Sequence, residues 1–281
     1  MRQIYPVQGP ELPLVPAATA GPLPAAVLTL ADLYGNGASS PPASRHLRAN
    51  MVASTDGAAS LAGRSGGLSG AGDRMVFTVL RSLSDLVLVG AGTARAERYR
   101  PAQSAGLWTG LRAAGAPPPA IAVVTASLQL DPDALLLTSA AEGAQTIVIT
   151  TSAAPAARRE ALARHARIIE AGEKQVDVTK AIGELERLGY SRILCEGGPT
   201  LLGQLAGAGL VDELCLTTSP VLAAGPAGRI VSAPPATDAT AGFAAGTAMP
   251  ATPTAAVAAR LSLAHVLADD SFLFSRYLRE H

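Results

Sequence analysis

Short apolar runs alternate with stretches of helical spacing along most of this chain, and that alternation constrains the fold more than any other feature. Leu86–Val89, Ile121–Val124, Thr146–Ile149 and Arg192–Cys195 are each four residues long. Such runs are too short for helices and too uniformly apolar for a half-exposed sheet, so they read as strands buried on both faces. Leu47–Ser54, Arg167–Glu170 and Leu214–Thr218 read as further strands. Between them, Asp73–Ser84 sets Met75, Val76, Val79, Leu80 and Leu83 on one helical face, and Val178–Leu188 does the same and closes at Gly189. Pro155–His165 and Thr200–Ala208 complete the helical set. Strands alternating with helices predict an α/β fold, a mostly parallel sheet with helices on both faces. At the C-terminal end, Leu261–Leu267 and Ser271–Leu278 flank Ala268–Asp270 and predict an antiparallel hairpin at the sheet's edge.

Residues 1–44 lack periodicity and read as an extended arm, with a short helix around Leu28–Tyr34; residues 45–281 read as one domain. The Ala-, Pro- and Thr-rich stretch Ser232–Ala259 reads as a loop. Half the residues are apolar and 16% are charged, which supplies a sizeable core. Formal net charge is zero and no basic run is interleaved with aromatics, so no nucleic-acid partner is expected. No apolar run approaches the roughly 20 residues that span a bilayer, so no membrane partner is expected either. Met1–Pro24 lacks the continuous apolar segment of a signal peptide, and a cytoplasmic location is expected. Cys195 and Cys215 lie in strand-like runs and read as buried, reduced core thiols, with a disulfide as the lesser reading. His46, His165, His265 and His281 lack ligand spacing, and no metal site is expected.

Three constellations carry chemistry. In the first, a strand runs into Glu196, Gly197 and Gly198, and then Pro199, Thr200 and Leu201 open a helix. Its exposed N–H groups suit an anion such as a pyrophosphate, although a plain strand–turn–helix corner uses glycines too. The second is Leu86–Val89 followed by Gly90, Gly92 and Thr93, a corner of the same kind. Two such corners in one parallel sheet can line one crevice at the carboxyl ends of the strands. The third is Asn50 to Gly57, with Ser54 and Asp56, followed by Ser65. Asp56 beside a glycine is either a turn residue or a carboxylate that positions a heterocycle or moves a proton. Zinc-deaminase, Walker A and nucleophile-elbow patterns are absent.

With these motifs in order, the chain resembles the pyrimidine reductase half of the bifunctional riboflavin-biosynthesis deaminase/reductase, and most closely its stand-alone actinobacterial members. Ser54-Thr-Asp56-Gly57, Leu86–Glu97, Leu194–Leu202 and the terminal HVLADDSFLFSRYL carry the likeness, which spans roughly residues 45–280. The resemblance implies a dihydrofolate-reductase-like fold, NADPH as cofactor, a homodimer, and reduction of 5-amino-6-(5-phosphoribosylamino)uracil by hydride transfer to the ribosyl imine carbon. By position it implies cofactor contacts from Gly90, Gly92, Thr93, Thr125, Ser127, Gly197, Gly198, Pro199, Thr200 and Leu201. It implies substrate contacts from Asn50, Ser54, Ser65 and Glu196, and a catalytic Asp56. Asn50 stands where the family has lysine, Gly67 where many members have tryptophan, and Glu97–Pro101 replaces a D-N-P stretch running to an arginine. These departures keep two rivals open, a dihydropteridine reductase and a dinucleotide-binding protein without turnover.

Overall fold

The computed structural model describes residues 1–5, 25–35, 45–102, 110–113, 115–232 and 259–280. Its strands are β1 (Arg2–Tyr5), β2 (His46–Ser54), β3 (Leu86–Gly90), β4 (Ala120–Val124), β5 (Ile147–Thr150), β6 (Arg167–Glu170), β7 (Arg192–Cys195), β8 (Glu213–Ser219), β9 (Leu261–Asp269) and β10 (Phe272–Arg279). The helices used below are α1 (Ala25–Tyr34), α2 (Ala71–Ser82), α3 (Ala91–Ala96), α4 (Leu135–Thr138), α5 (Ala156–Ala163), α6 (Val178–Arg187) and α7 (Pro199–Gly207). All ten strands form one sheet in the order β1-β9-β10-β8-β2-β7-β3-β4-β5-β6. From β8 to β6 every pairing is parallel, and from β8 outward to β1 every pairing is antiparallel.

The alternation seen in sequence becomes two cores. Val87 and Val89 of β3 face one side and meet α1, α2 and α3 through Leu30, Val79 and Ala94. Leu86 and Leu88 face the other side and meet α6 and α7 through Leu185 and Leu205. Cys215 belongs to the first core and Cys195 to the second, so the sheet itself separates the two free thiols. Burial pushes the Cys195 thiol up to about 12.

Three details differ from the sequence reading. Within 1–44, β1 pairs with β9 and α1 is packed into the core by Val27, Leu30 and Tyr34, so those described parts belong to the main body. The hairpin is not the sheet's edge, because β1 covers β9. Its turn is Asp270–Ser271, both at positive φ (44° and 64°), so Ser271 is a turn residue and not the start of a strand. The Ser232–Ala259 loop falls almost wholly outside the described residues. Among the described residues no helix is long and apolar enough to cross a membrane.

Sequence reading also missed a buried ion cluster. Glu213 opens β8 with no exposed surface. Its Oε1 accepts from Nε of Arg48 at 2.6 Å and Nε of Arg276 at 2.9 Å, and its Oε2 lies 2.9 Å from His46 Nε2. The same arginines donate to the last carbonyls of α1, Arg276 to Leu33 at 2.7 Å and Arg48 to Tyr34 at 2.5 Å. Cations at a helix C-terminus are favourable, so the cluster fastens α1 to β2, β8 and β10. Burial alone would raise the Glu213 carboxyl, but Arg48, His46 and Arg276 hold it well below the usual carboxylate range. The stability it contributes is therefore present above the unfolded value of about 4.3 and is lost as pH falls. Removing one partner of a buried pair typically costs about 3–5 kcal/mol. Glu213→Gln is expected to lose stability of that order in urea unfolding at pH 7, whereas Arg48→Met/Glu213→Leu/Arg276→Met together lose far less. A single-variant loss under about 1 kcal/mol would show that the cluster is hydrated.

Candidate active site

A cavity of about 1540 Å³ lies along the carboxyl tips of β2, β7, β3 and β4 and extends to Gln175 and Val176, in the loop before α6. Single-ligand pockets usually occupy roughly 300–1,000 Å³, so there is room for two ligands side by side.

The two glycine corners meet at its centre. The Gly90 N–H donates to the Gly197 carbonyl at 2.8 Å. A Cβ on Gly198 would stand 2.6 Å from Thr93 Oγ1, and one on Gly90 would stand 3.4 Å from Gly198 N. Gly197 takes φ +85°, which favours glycine. Gly90, Gly92, Thr93, Gly198, Pro199, Thr200 and Leu201 line the cavity, while Gly197 supports it from behind. In α7 the helical ladder opens with the Leu202 N–H donating to the Gly198 carbonyl at 3.0 Å. The Thr200 and Leu201 amides precede it and are available to an anion. Thr125 and Ser127 line the cavity beyond β4. Thr125 Oγ1 already accepts from the Leu128 N–H at 3.0 Å, leaving Ser127 as the exposed hydroxyl.

On the other side, Glu196 is not a free carboxylate. Arg81 of α2 grips it through Nε and Nη2, both at 2.6 Å, and the Tyr99 hydroxyl donates to its Oε2 at 2.6 Å. Arg81 also lies over the Phe77 ring at 4.3 Å and the Tyr99 ring at 5.3 Å. Burial pushes the Tyr99 hydroxyl well above its ordinary value, and Glu196 pushes it further, so Tyr99 stays a proton donor in this hydrogen bond. Burial would lower the Arg81 value, but Glu196 outweighs it and raises it. Ser65 donates to Glu97 Oε1 from its N–H at 2.7 Å and its hydroxyl at 3.0 Å. Asn50 lines the cavity, and its Oδ1 is buried with no hydrogen-bond partner. An orphaned buried acceptor costs roughly 1–3 kcal/mol, so it marks a place for a ligand donor.

Sequence reading gave no role to Arg81 or Tyr99, nor to Arg74, Arg98, Arg100 and Arg229, which also line the cavity. Arg74, Phe77 and Arg81 share one face of α2 at spacings of three and four, and that was the legible signal. Among the described residues, Arg74, Arg98, Arg100 and Arg229 make no ion pair.

Ser54 and Asp56 lie outside the cavity lining. Asp56 Oδ1 accepts from the Ser54 hydroxyl at 2.5 Å and the Ala223 N–H at 3.0 Å, and Oδ2 from the Ala224 N–H at 2.9 Å. These bonds tie the end of β2 to a strap, residues 220–232, that carries Gly228 and Arg229 to the cavity. Ser54, first of these donors, and then the two amides hold the Asp56 carboxyl down at about 2.

The family model described as the RibD C-terminal domain matches residues 45–247. The chain belongs to that family. It is 29% identical over 178 residues to a protein of Methanothermobacter thermautotrophicus, covering 63% of this chain and 78% of that one. It is 30% identical over 155 residues to one of Archaeoglobus fulgidus, covering 54% and 69%. Both are named 2,5-diamino-6-ribosylamino-4(3H)-pyrimidinone 5′-phosphate reductase. A pyrimidine reductase-like protein from Corynebacterium diphtheriae shares the fold at a TM-score of 0.68 and 24% identity, covering 84% of this chain and 92% of that one. A Saccharomyces riboflavin biosynthesis reductase shares it at 0.57 and 16% identity, covering 90% and 98%. The matched residues take in the parallel block, and the hairpin strands β9 and β10 lie beyond them.

The Asp56 carboxylate, ionised well below neutrality, anchors the strap at pH 7. The strap's anchor is present above the ordinary aspartate value of about 3.9 and is lost as pH falls through about 2. Asp56→Ala is expected to open residues 220–232 to limited proteolysis at pH 7, with Asp56→Asn intermediate because one acceptor oxygen remains. Cleavage of Asp56→Ala no faster than the parent would show that the strap is held without it.

Proposed function

We propose that this chain is an NADPH-dependent reductase of a 5′-phosphorylated ribosylaminopyrimidine, working in riboflavin biosynthesis in the cytoplasm. The observation that carries the reading is one continuous cavity with two unlike arms. One arm is built from glycine corners and the free amides of α7, and a side chain on Gly198 would collide with Thr93. That cradle fits the pyrophosphate of a dinucleotide. Arg74, Arg98, Arg100 and Arg229 also line the cavity, none of them in an ion pair among the described residues, and suit a phosphate monoester. These arginines offset the charge lost with Asn50 and favour a phosphorylated pyrimidine over an uncharged pteridine. The two buried free thiols suit a reducing compartment.

NADPH, when bound, supplies the hydride delivered to the imine carbon of the opened ribose. The chain supplies position and field. The α7 amides and the Gly90–Gly198 surface would hold the cofactor's phosphates. Asn50 Oδ1 accepts from a ligand N–H or O–H at the sheet's centre. Glu196, fixed by Arg81 and Tyr99, makes a rigid wall between the arms.

Consumption of NADPH absorbance is the direct test, with both the 5-amino-uracil and the 2,5-diamino-pyrimidinone forms of the ribosylamino 5′-phosphate offered. Turnover of at least one is expected, with little or none of dihydropteridine. Binding of NADPH without turnover of any of them would favour the non-catalytic rival. Arg98→Ala/Arg100→Ala is expected to raise KM for the phosphorylated substrate about 10-fold or more, as for lost charge-assisted contacts, while the affinity for NADPH holds.

A homodimer is part of the same reading. Tyr277 stands opposite Leu214 on β8 and Leu263 on β9, and Ser275 stands opposite Leu216 and Val266. That register puts an apolar row on one sheet face, with Leu263 37% and Leu273 39% exposed. A C2 dimer buries such a row against its own copy. Light scattering at micromolar concentration is expected to give twice the 28.3 kDa chain mass.

A further inference from the structure

The strap beside the cavity belongs to no strand or helix, yet neighbours hold it at both ends. Residues 220–232 read Pro-Val-Leu-Ala-Ala-Gly-Pro-Ala-Gly-Arg-Ile-Val-Ser, and Arg229 is the one charged residue among them. Arg229 is exposed, lines the cavity and makes no ion pair among the described residues.

Residues 54–59, where β2 runs out into its turn, pin the first end. The Thr55 N–H donates to the Val221 carbonyl at 2.9 Å, and Asp56 accepts from the Ala223 and Ala224 amides. The Ala59 N–H donates to the Gly228 carbonyl at 2.9 Å and so fixes the residue directly before Arg229. The other end is seated on α7. The Ser232 N–H donates to the Pro199 carbonyl at 3.1 Å, and Val231 packs against the second core. A Cβ on Gly203 would overlap the Ser232 carbonyl, standing 2.9 Å from its carbon. Gly203 lies inside α7 and has no positive φ, so the close approach of the strap is what its missing side chain serves. Neither Asp56 nor Gly203 lines the cavity.

An unpinned loop of small residues would have to be ordered by the ligand each time its arginine engaged. The pins make that ordering part of folding, so binding does not bear its cost. We propose that Asp56 and Gly203 are positioning residues, which hold the strap from opposite ends so that Arg229 meets the substrate's phosphate and the protein selects the phosphorylated form. This rests on the reading that the cavity takes a phosphorylated ribosylaminopyrimidine.

Steady-state kinetics with the phosphorylated substrate and with its dephosphorylated form, beside calorimetry with NADP⁺, test both levels. Arg229→Ala is expected to raise KM for the phosphorylated substrate about 10-fold, as for a lost charge-assisted contact, with kcat changed less than about 2-fold. Asp56→Ala and Gly203→Ala are each expected to raise the same KM by about 3-fold or more, a part of that loss. Asp56→Asn raises it less, because one acceptor oxygen remains. In the Arg229→Ala background neither pin variant raises KM further, since the contact they act through is already gone. The KM of the dephosphorylated form and the affinity for NADP⁺ are expected to change less than about 2-fold in every variant. Alanine suits a helix interior, so Gly203→Ala leaves α7 formed. Equal losses on both substrate forms, losses undiminished in the Arg229→Ala background, or a weakened NADP⁺ affinity would make the pins merely structural and overturn the proposal. An unchanged KM in both pin variants would overturn it as well. A parent that turns over neither substrate form would overturn the substrate reading, and the proposal with it.

Discussion

Everything at the site depends on two strand ends touching with no side chain between them. β3 and β7 are parallel neighbours, with Leu86 opposite Ile193 and Leu88 opposite Cys195. They end in register, so Gly90 donates to Gly197 and Thr93 fills the space beside Gly198. A side chain at Gly198 would push the corners apart and remove the floor on which α3 and α7 begin. The contact joins segments about a hundred residues apart in sequence, and it forms only because β7 inserts between β2 and β3. The burial of both faces of the central strands and the geometry of the site are therefore one constraint.

Charge is distributed by the same logic. The chain carries 22 basic and 22 acidic residues, which taken alone suggests a neutral surface. The structure buries the critical acids against arginines instead. Glu213 is held by Arg48 and Arg276, and Glu196 by Arg81. With those carboxylates paired internally, the exposed arginines Arg74, Arg98, Arg100 and Arg229 along the cavity make no ion pair among the described residues. A zero net charge is thus compatible with a cationic pocket, and composition could exclude a nucleic-acid surface without revealing an anion site.

What was legible in the sequence was whatever repeats with a period. The strands Leu86–Val89 and Ile121–Val124, the helix faces of α2 and α6, and both glycine corners follow from local spacing and backbone freedom. The ion cluster did not follow, because Glu213, Arg48 and Arg276 are far apart in the chain and each looks like an ordinary polar residue flanking a strand. Arg81 and Tyr99 were hidden for the same reason: their partner is Glu196, about a hundred residues away. β1 was unreadable because a four-residue edge strand that is exposed except for a half-buried Gln3 carries no periodic signal.

Asp56 sits in the turn that closes from the Gly57 N–H to the Ser54 carbonyl, as the local turn reading has it, and the fold gives its side chain a further role. Beside Gly57 it resembles a turn residue or an acid, yet its carboxylate closes a tether to amides 167 and 168 positions away. With both oxygens occupied and its carboxyl held at about 2, it carries no proton near neutrality. Under the proposed reaction, hydride addition to the imine carbon requires a proton at the nitrogen. Tyr99 and Arg81 are shifted toward keeping their protons, and Glu196 accepts hydrogen bonds from them at both oxygens. Those two shifts set Tyr99 and Arg81 against releasing a proton, and their part in the proposed reaction is orientation and electrostatics.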